Sequence, residues 1–495
     1  MTNLICTSGG QQHDWSADYR LYSEGRADLG ALFAPVLDEV LHALPQEAPL
    51  VVALDDTLLR KTGTHIDGVA WRRDPLGPPF QTNLVRAQRF LQMSAAWPLK
   101  TGGARMVPVL FHHAPSAQKP PKEATPVERA DYRERLKQQR LNVQALGSME
   151  RLRKATPPQR HVIFCGDGSY TNAVIIKNLP QHCTYIGRIR KDAKFHYLPE
   201  AAPQGGKLNG RPRSFGEPAP TPEQLCTDDA SPWQRLNAFA AGKSHDFRVK
   251  TLDRVLWRKS GTRVAVRAVV IAPLGYRLRK GSKLLYRAPA FLLCTDPQLD
   301  LAKLVQYYLW RWGIEVNFRE EKQLLGAGDA QVRTAQASRG VPAMVVAAYS
   351  LLWLAALRMH GRGDLPEAIR PPKWRAKSKE HQNLPSTGDL LRTLRGEIWA
   401  RSIRPATFYH FIADFAHAHE VPKTLAVPPG CPPLRRLTLT KSRPAIFPAP
   451  KKSQTPAARS QSPDLGMHFT PVDATCCGWG RFHREGCGRA AVRSS

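Results

Sequence analysis

The sequence predicts an α/β protein whose core is interrupted by inserted, mostly β material. Three observations predict this class. Short apolar runs, typical of buried strands, alternate along the first 190 residues with segments of helical periodicity. The stretch 199–232 is crowded with proline, glycine and short polar residues, which marks an irregular connection, and long helical segments return after residue 300. Hydrophobic residues make up 42% of the 495-residue chain, which is sufficient for a packed core.

The first part of the chain is expected to contain strands that end in polar residues. Apolar residues at helical spacing predict one helix over 28–44. The run 50–54 is interpreted as a buried strand that ends in Asp55-Asp56-Thr57. A second strand, 161–165, ends in Gly166-Asp167-Gly168. The remaining elements predicted here are strands at 84–94, 106–112 and 185–190, and helices at 128–155 and 169–178.

The second part is expected to contain the insertion and then helices. Alternating residues predict strands at 247–258 and 263–271, and an apolar run predicts a third at 290–294. Helices are predicted at 300–325 and 335–361. The apolar run 341–357 is too short for a convincing membrane span, so the second of these helices is expected to be a buried core helix.

These elements divide the chain into six predicted segments. They are an N-terminal helical segment (1–45), the first part of the core (46–191), a β-rich insertion (192–290), the second part of the core (291–362), a C-terminal helical region (363–430), and a basic tail rich in proline, serine and arginine (431–495). The tail has no sustained periodicity and is expected to be disordered.

The charge of the chain points to a polyanionic partner. Its 72 Lys and Arg exceed its 41 Asp and Glu, which gives a formal net charge of +31. The segment 431–495 holds eleven basic and three acidic residues, or 11 − 3 = +8, so +23 remains on residues 1–430. The excess therefore belongs to the body of the protein, and nucleic acid is the first candidate partner.

Cysteine usage and the first residues favour the cytoplasm. The nine cysteines are scattered and odd in number, which suits a reducing compartment, and residues 1–8 lack the features of a secretory signal. A group near the C-terminus offers zinc ligands without paired CxxC spacing, which disfavours a zinc site. Its members are Cys476, Cys477, His483 and Cys487.

Four functional side chains share one face of the helix predicted at 300–325. At about 100° per residue, the side chains of Tyr308, Arg311, Glu315 and Lys322 fall within roughly 60° of one another. Taken alone, the pattern is also that of a solvated face with an i,i+4 ion pair between Arg311 and Glu315.

Two further acids follow predicted strands. Asp56 comes after 50–54 and Asp167 after 161–165. A single aspartate at a strand end is commonly a turn or cap residue. Together with Glu315 from a facing helix, however, the two aspartates can hold a pair of divalent cations, Mg²⁺ above all, for phosphodiester chemistry.

The spacing resembles a known family. Tyr308-x2-Arg311-x3-Glu315-x6-Lys322 matches the Y-x2-R-x3-E-x6-K signature of IS4-type DDE transposases without a gap. The blocks Leu54-Asp55-Asp56-Thr57, with Lys61-Thr62-Gly63, and Cys165-Gly166-Asp167-Gly168 look like the first and second aspartate blocks of that family and of its IS701-like relatives. The resemblance covers roughly residues 45–360.

The resemblance implies a fold and a metal site. The fold would be an RNase H-like core interrupted by a β-rich insertion. Asp56, Asp167 and Glu315 would be the catalytic metal ligands for two Mg²⁺ ions, with Mn²⁺ as a substitute. The choice of Asp56 over Asp55 rests on the threonine that follows it, and strand alternation requires only that one of the two faces the site.

The resemblance also implies how DNA is bound. Tyr308, Arg311 and Lys322 would hold phosphates of the DNA. Relatives stack a flipped end base on an aromatic ring of the insertion, and Trp257 and Tyr286 are the candidates here. No convincing helix-turn-helix precedes the first aspartate, so the location of end recognition stays open.

The implied function is a DNA transposase in a prokaryotic cytoplasm, associated with the nucleoid and not with a membrane. It would bind the terminal inverted repeats of an insertion sequence, pair two ends in a homodimer, cleave them, and join the 3′-OH ends to target DNA. A hairpin intermediate is compatible with this. Two alternatives stay open: a transposase-derived DNA-binding protein without catalysis, and a structure-specific nuclease without strand transfer.

Overall fold

The computed structural model describes residues 13–26, 28–63, 65–74, 77, 83–199, 214–260, 264–277, 281–362 and 385–402. The described residues between 14 and 390 lie in one compact unit, and residue 13 and residues 391–402 lie in a second. The strands are β1 Leu50–Arg60, β2 Ala70–Arg73, β3 Leu84–Pro98, β4 Ala104–His113, β5 Val162–Gly166, β6 Cys183–Arg188, β7 Phe195–His196, β8 Pro218–Ala219, β9 Gln234–Ala240, β10 Lys243–Trp257, β11 Val266–Ile271, β12 Gly275–Tyr276, β13 Leu285–Tyr286 and β14 Ala290–Cys294. The helices are α1 Ser16–Ser23, α2 Ala34–Ala43, α3 Pro126–Gln138, α4 Leu141–Ala155, α5 Ala173–Lys177, α6 Pro222–Thr227, α7 Leu301–Trp310, α8 Gly313–Gln323, α9 Ala335–Arg362 and α10 Thr387–Ser402.

Twelve of the described strands form one mixed sheet. At one end the order is β4-β3-β1-β5-β6, with β2 also pairing β3 at its outer edge. β3 pairs antiparallel with both β4 and β1, whereas β1, β5 and β6 run parallel to one another. A parallel pair needs a crossover, and α3 and α4 supply it between β1 and β5. This end of the sheet carries both aspartate segments of the sequence.

The rest of the sheet is formed by the strands between β6 and α7. β14 pairs antiparallel with β6, and β11, β10 and β7 continue the sheet outward from it. β9 also pairs with β10, and β12 and β13 form a separate two-stranded hairpin. The described part of 192–290 therefore consists mostly of antiparallel strands.

The two faces of β1 pack against different helices. Val51 and Ala53 share a buried cluster with Leu304 of α7 and Ile314 of α8. Val52 belongs to a second cluster, together with side chains of α2 and α4. Because side chains alternate along a strand, residues of β1 with odd numbers face α7 and α8.

The long predicted helix at 300–325 is wrong, since the structure contains two helices, α7 and α8. The amides of Arg311 and Trp312 bond to carbonyls three residues back, which tightens the chain between them. A Cβ on Gly313 would stand 2.4 Å from Cγ of Met106 in β4, so glycine allows α8 to approach the sheet closely. The interruption thus coincides with the close approach of the chain to β4 at this glycine.

Other predicted bounds also change. The strand expected to end at residue 54 continues to Arg60, because β3 pairs with it over its whole second half. The helix expected over 128–155 is two helices, since Arg140 is extended between them. The helices predicted at 28–44 and 169–178 are shorter, at Ala34–Ala43 and Ala173–Lys177.

Helix α9 is long and apolar enough to cross a membrane by length and composition alone. Within the protein, 61% of its most apolar stretch is buried, and Tyr349 and Trp353 are completely or almost completely enclosed. It is therefore a core helix, as the sequence predicted. The predicted region 363–430 is described only at 385–402, and the tail 431–495 lies outside the described residues.

Candidate functional site

The register of β1 and β5 brings two aspartates together. Leu54 is paired with Gly166 as the last parallel pair of the two strands. The next residues along the chain are Asp55, in the middle of β1, and Asp167, directly after β5, so the two carboxylates lie side by side on the same face. This is the odd-numbered face, against which α7 and α8 pack.

Asp55 and Asp56 point to opposite faces of β1. Asp55 lies 3.6 Å from Nη1 of Arg311, which begins the link to α8. Asp56 instead accepts a hydrogen bond of 2.7 Å from the hydroxyl of Tyr170, a residue of the opposite core cluster. The sequence-based choice of Asp56 as the first acid stays a prediction, while the geometry places Asp55 on the face of Arg311 through strand alternation.

Basic groups surround Asp56. Burial raises the pKa of Asp56, Tyr170 and Arg89 lower it, the charge of Asp167 raises it and Arg72 lowers it, and the net effect is a raised pKa. Arg72 and Arg89 both donate to the hydroxyl of Ser116, at 3.1 and 3.2 Å. Asp56 thus has partners of its own on the face away from Glu315.

Arg311 joins two of the acids. Its Nη2 donates to Oε1 of Glu315 at 2.9 Å, while Nη1 faces Asp55. Its side chain is only 11% exposed and lies 5.7 Å from the ring of Tyr308. In the described part of the chain, Nε and Nη1 have no hydrogen-bond partner. A buried cation with unused donors therefore stands among the carboxylates.

The acids repel one another. Burial raises the pKa of Asp55 well above its usual value, and the neighbouring charge of Asp167 raises it further. Burial also raises the pKa of Glu315; Arg311 opposes this rise and Asp167 adds to it. A cation placed among these groups would relieve both the repulsion and the loss of hydration.

Lys322 lies apart from the centre of this group. Burial lowers its pKa, and the charges that act on it most are those of Glu321, Arg60 and Asp74. Asp56 has the weakest effect among those resolved. The structure therefore brings Tyr308, Arg311 and Glu315 together with two aspartates and leaves Lys322 one helical turn or more further along α8.

Two contributing residues were not identified from the sequence. Tyr170 follows Asp167 by three residues, and this spacing was the available signal. Lys61 lies in the block already quoted, and its Nζ donates to the carbonyls of Gly328 and Ala330 in the loop after α8. Through this contact the end of β1 is tied to the segment that carries Glu315.

The two candidates for base stacking differ strongly in exposure. Trp257 is buried at 4% exposure inside the insertion, so its ring does not reach solvent. Tyr286 in β13 is 67% exposed. Of the two, only Tyr286 is accessible to a nucleotide in this conformation.

The acids fit a divalent cation in their chemistry, since Mg²⁺ prefers carboxylate oxygens and water. Among the residues that the structure describes, however, no group of three or more His, Cys, Asp or Glu side chains lies close enough to hold a metal ion. Arg311 stands between Asp55 and Glu315 instead. Metal binding would therefore require Arg311 to release at least one of them.

The chain matches the model of a known protein family. A protein-family model described as a DDE superfamily endonuclease matches residues 13–264. The match includes Asp55, Asp56 and Asp167 and extends through β10, and it ends before Glu315. No curated protein matches the chain.

Proposed function

Because this chain belongs to the DDE superfamily endonucleases, we propose that it is a DNA transposase of an insertion sequence, of the IS4 or IS701-like type. The observation that carries the proposal is the convergence of Asp55, Asp167 and Glu315 on one face of the sheet around Arg311. The ungapped signature from Tyr308 to Lys322 supports the narrower family.

The sheet supports an RNase H-like core. Three antiparallel strands followed by two parallel ones, in the order β4-β3-β1-β5-β6, give the first part at 46–191. The antiparallel strands from β7 to β13 lie within 192–290 and constitute the insertion. α7 and α8 then return Glu315 to the core within 291–362.

We assign the first acid to Asp55. It lies on the face that packs against α8, beside Asp167, and it is paired with Arg311. Asp56 then acts as a positioning residue, because its bond to Tyr170 links β1 to the turn that follows Asp167. This replaces the assignment that the sequence favoured.

Superfamily endonucleases generally use divalent metals, and Asp55, Asp167 and Glu315 would hold two Mg²⁺ ions, or Mn²⁺ in their place. Such ions activate a water or hydroxyl and stabilise the leaving oxygen of a phosphodiester. The protein's own residues have separate tasks. Arg311 balances the carboxylates before DNA arrives, and its unused donors are available to a phosphate.

DNA binding uses charge more than base contacts at this site. Arg311 and Lys322 are cations and Tyr308 is a phenol donor, all suited to phosphate oxygens. The charge of +31 predicts binding that weakens steeply as salt is raised. The substrates are the element's terminal inverted repeats and target DNA, held by a homodimer in the nucleoid of the cytoplasm.

The test is Glu315→Gln, which keeps the size of the side chain and removes its charge. Binding to a duplex with the element's end should be unchanged, and Mg²⁺-dependent cleavage should be abolished. Glu134→Gln, on the exposed face of α3, is the matched control and should cut as the unaltered protein does. Cleavage by Glu315→Gln at the control's rate would contradict the proposal.

The same incubation separates transposase from nuclease. A supercoiled target plasmid is added to the reaction, and joined products are resolved on a gel. Joined ends support the transposase. Hydrolysis without joining would instead indicate a structure-specific nuclease that uses the same three acids, and binding without either would indicate a DNA-binding protein.

A further inference from the structure

A patch of apolar and basic side chains lies on the outer edge of the sheet. β2 pairs with β3 so that Trp71 stands opposite Arg86 and Arg73 opposite Leu84. Directly paired residues of an antiparallel ladder share a face. These four side chains therefore form one surface, here called the Trp71 patch.

The Trp71 patch is open to solvent. Trp71 is 67% exposed and Leu84 55% exposed, although both are large hydrophobic side chains. The guanidinium of Arg86 lies 5.9 Å from the centre of the Trp71 ring, and Arg73 is exposed. Scattered single apolar residues are common on protein surfaces, whereas an indole and a leucine alternating with two arginines form a specific combination.

The Trp71 patch faces the same way as the acidic site. Gln92 of β3 pairs with Asp55, so the even-numbered residues of β3 share the face of Asp55. Arg86 lies six residues from Gln92 on that face, which corresponds to about 20 Å along the strand. At 3.4 Å per base pair, this is about six base pairs of DNA.

We propose that the Trp71 patch is a DNA-binding surface that holds the duplex about six base pairs from the cleaved phosphate. Arg73 and Arg86 contact backbone phosphates, and the indole of Trp71 packs against a sugar or an unstacked base between them. The inference rests on the proposed function for the position of the cleaved phosphate.

Charge favours DNA over a protein partner. The patch holds two arginines, and Asp74, the acid that follows Arg73 in the chain, is already bridged to Arg60 at 2.5 Å. Tryptophan and arginine are common in protein interfaces too, but DNA-binding surfaces are much more positively charged than protein–protein interfaces. A polyanion therefore fits this surface better than an apolar protein face.

The experiment measures equilibrium binding of the full chain to labelled duplexes, with Ca²⁺ in place of Mg²⁺ so that cleavage does not interfere. Trp71→Ala should weaken binding about tenfold or more, as aromatic platforms for nucleic acid do. Arg86→Ala should reduce the slope of log affinity against log salt by about one. Trp15→Ala, at the exposed tryptophan (52%) that caps the N-terminus of α1, is the matched control and should bind normally.

Shortening the duplex locates the contact. When one arm is cut to about four base pairs from the cleavage point, the Trp71→Ala variant should bind as the unaltered protein does, because the patch is then beyond the DNA. Equal binding by Trp71→Ala and Trp15→Ala on every duplex overturns the proposal. A change of oligomeric state with unchanged DNA affinity also overturns it, in favour of a protein contact.

The outcomes separate this inference from the proposed function. A chain that needs Trp71 to bind DNA and yet cuts nothing in Mg²⁺ would refute the endonuclease and leave the Trp71 patch as a DNA surface. If the Trp71→Ala variant instead binds DNA with unchanged affinity and cuts it normally, the Trp71 patch is refuted as a DNA surface and the endonuclease is supported. Thermal melting of each variant verifies that it is folded.

Discussion

Glu321 on α8 should make the protein less stable as the pH rises. It is 2% exposed, and its Oε1 accepts a hydrogen bond of 3.0 Å from Nε2 of Gln92. Burial is the main cause that raises its pKa from 4.5 to about 8. Between those two values the folded protein keeps a proton that the unfolded chain has released.

The sign and size of the effect follow from that difference. Since the folded state binds more protons between pH 4.5 and 8, the free energy of unfolding falls by about 1.4 kcal/mol per pH unit as the pH rises. Between pH 4.5 and 8 the free energy of unfolding falls by about 5 kcal/mol in total, and no further loss occurs above the folded pKa. Glu321→Gln removes the titration, so its stability should equal that of the unaltered protein near pH 4.5 and exceed it at pH 9.

Glu320, the neighbouring residue, supplies a control of opposite sign. Burial raises its pKa, but the Arg105 ion pair and the hydroxyls of Tyr349 and Thr387 outweigh this and lower the pKa below the usual value. Its contribution is therefore present above pH 4.5 and is lost as the pH falls through the folded value. Glu320→Gln should reduce stability at pH 8 by about 2–3 kcal/mol.

The assay is urea denaturation followed by tryptophan fluorescence at one-unit steps from pH 5 to 9. Parallel stability curves for the unaltered protein and Glu321→Gln would refute the reasoning, because a buried acid that keeps its ordinary pKa produces no such difference. The variants at Glu320 and Glu321 are expected to change the free energy of unfolding at pH 8 in opposite directions. A Glu320→Gln variant that is more stable at pH 8 would refute this expectation.

Two further predictions concern contacts that hold the site together. Lys61→Met leaves the carbonyls of Gly328 and Ala330 without their donor and should lower the free energy of unfolding by about 2–3 kcal/mol, measured by urea denaturation; unchanged stability would contradict the role of this lysine. Tyr170→Phe removes the donor to Asp56 and should cost about 1–2 kcal/mol while slowing cleavage without abolishing it; a complete loss of cleavage with normal folding would mean that Tyr170 contacts the substrate.

Much of the fold could be predicted because it depends on local pattern. The apolar runs at 50–54 and 290–294 each lie in an observed strand, and the run at 161–165 matches an observed strand to within one residue. The alternation after residue 246 predicted the strands β10 and β11. These signals need no knowledge of distant partners, since burial on both faces of a strand shows directly as a continuous apolar run.

The interruption between α7 and α8 could not be predicted from local pattern. No proline marks it, and Gly313 alone is compatible with a continuous helix at a modest cost. The interruption coincides with the close approach of Gly313 to Met106, which is more than 200 residues earlier in the chain. Helical spacing still predicted that Tyr308, Arg311 and Glu315 would meet, because the tightened turn keeps them on one side.

The choice between Asp55 and Asp56 also depended on distant parts of the chain. Alternation showed that the two carboxylates face opposite sides, but the sequence does not say which side α8 covers. The packing of Ile314 with Val51 and Ala53 decides it. If the first acid is Asp55, as proposed, the sequence predicted the site to within one residue, and the last step required the tertiary arrangement.

The most direct test compares Asp55→Asn with Asp56→Asn in Mg²⁺-dependent cleavage of a duplex with the element's end. Asp55→Asn should lower the rate about a thousandfold or more, as expected for loss of a metal ligand. Asp56→Asn should lower it by no more than about a hundredfold, as for a residue that positions a ligand. Mn²⁺ binding by electron paramagnetic resonance should be lost in Asp55→Asn and retained in Asp56→Asn. If Asp56→Asn loses both metal and cleavage while Asp55→Asn keeps them, the assignment of the site is contradicted.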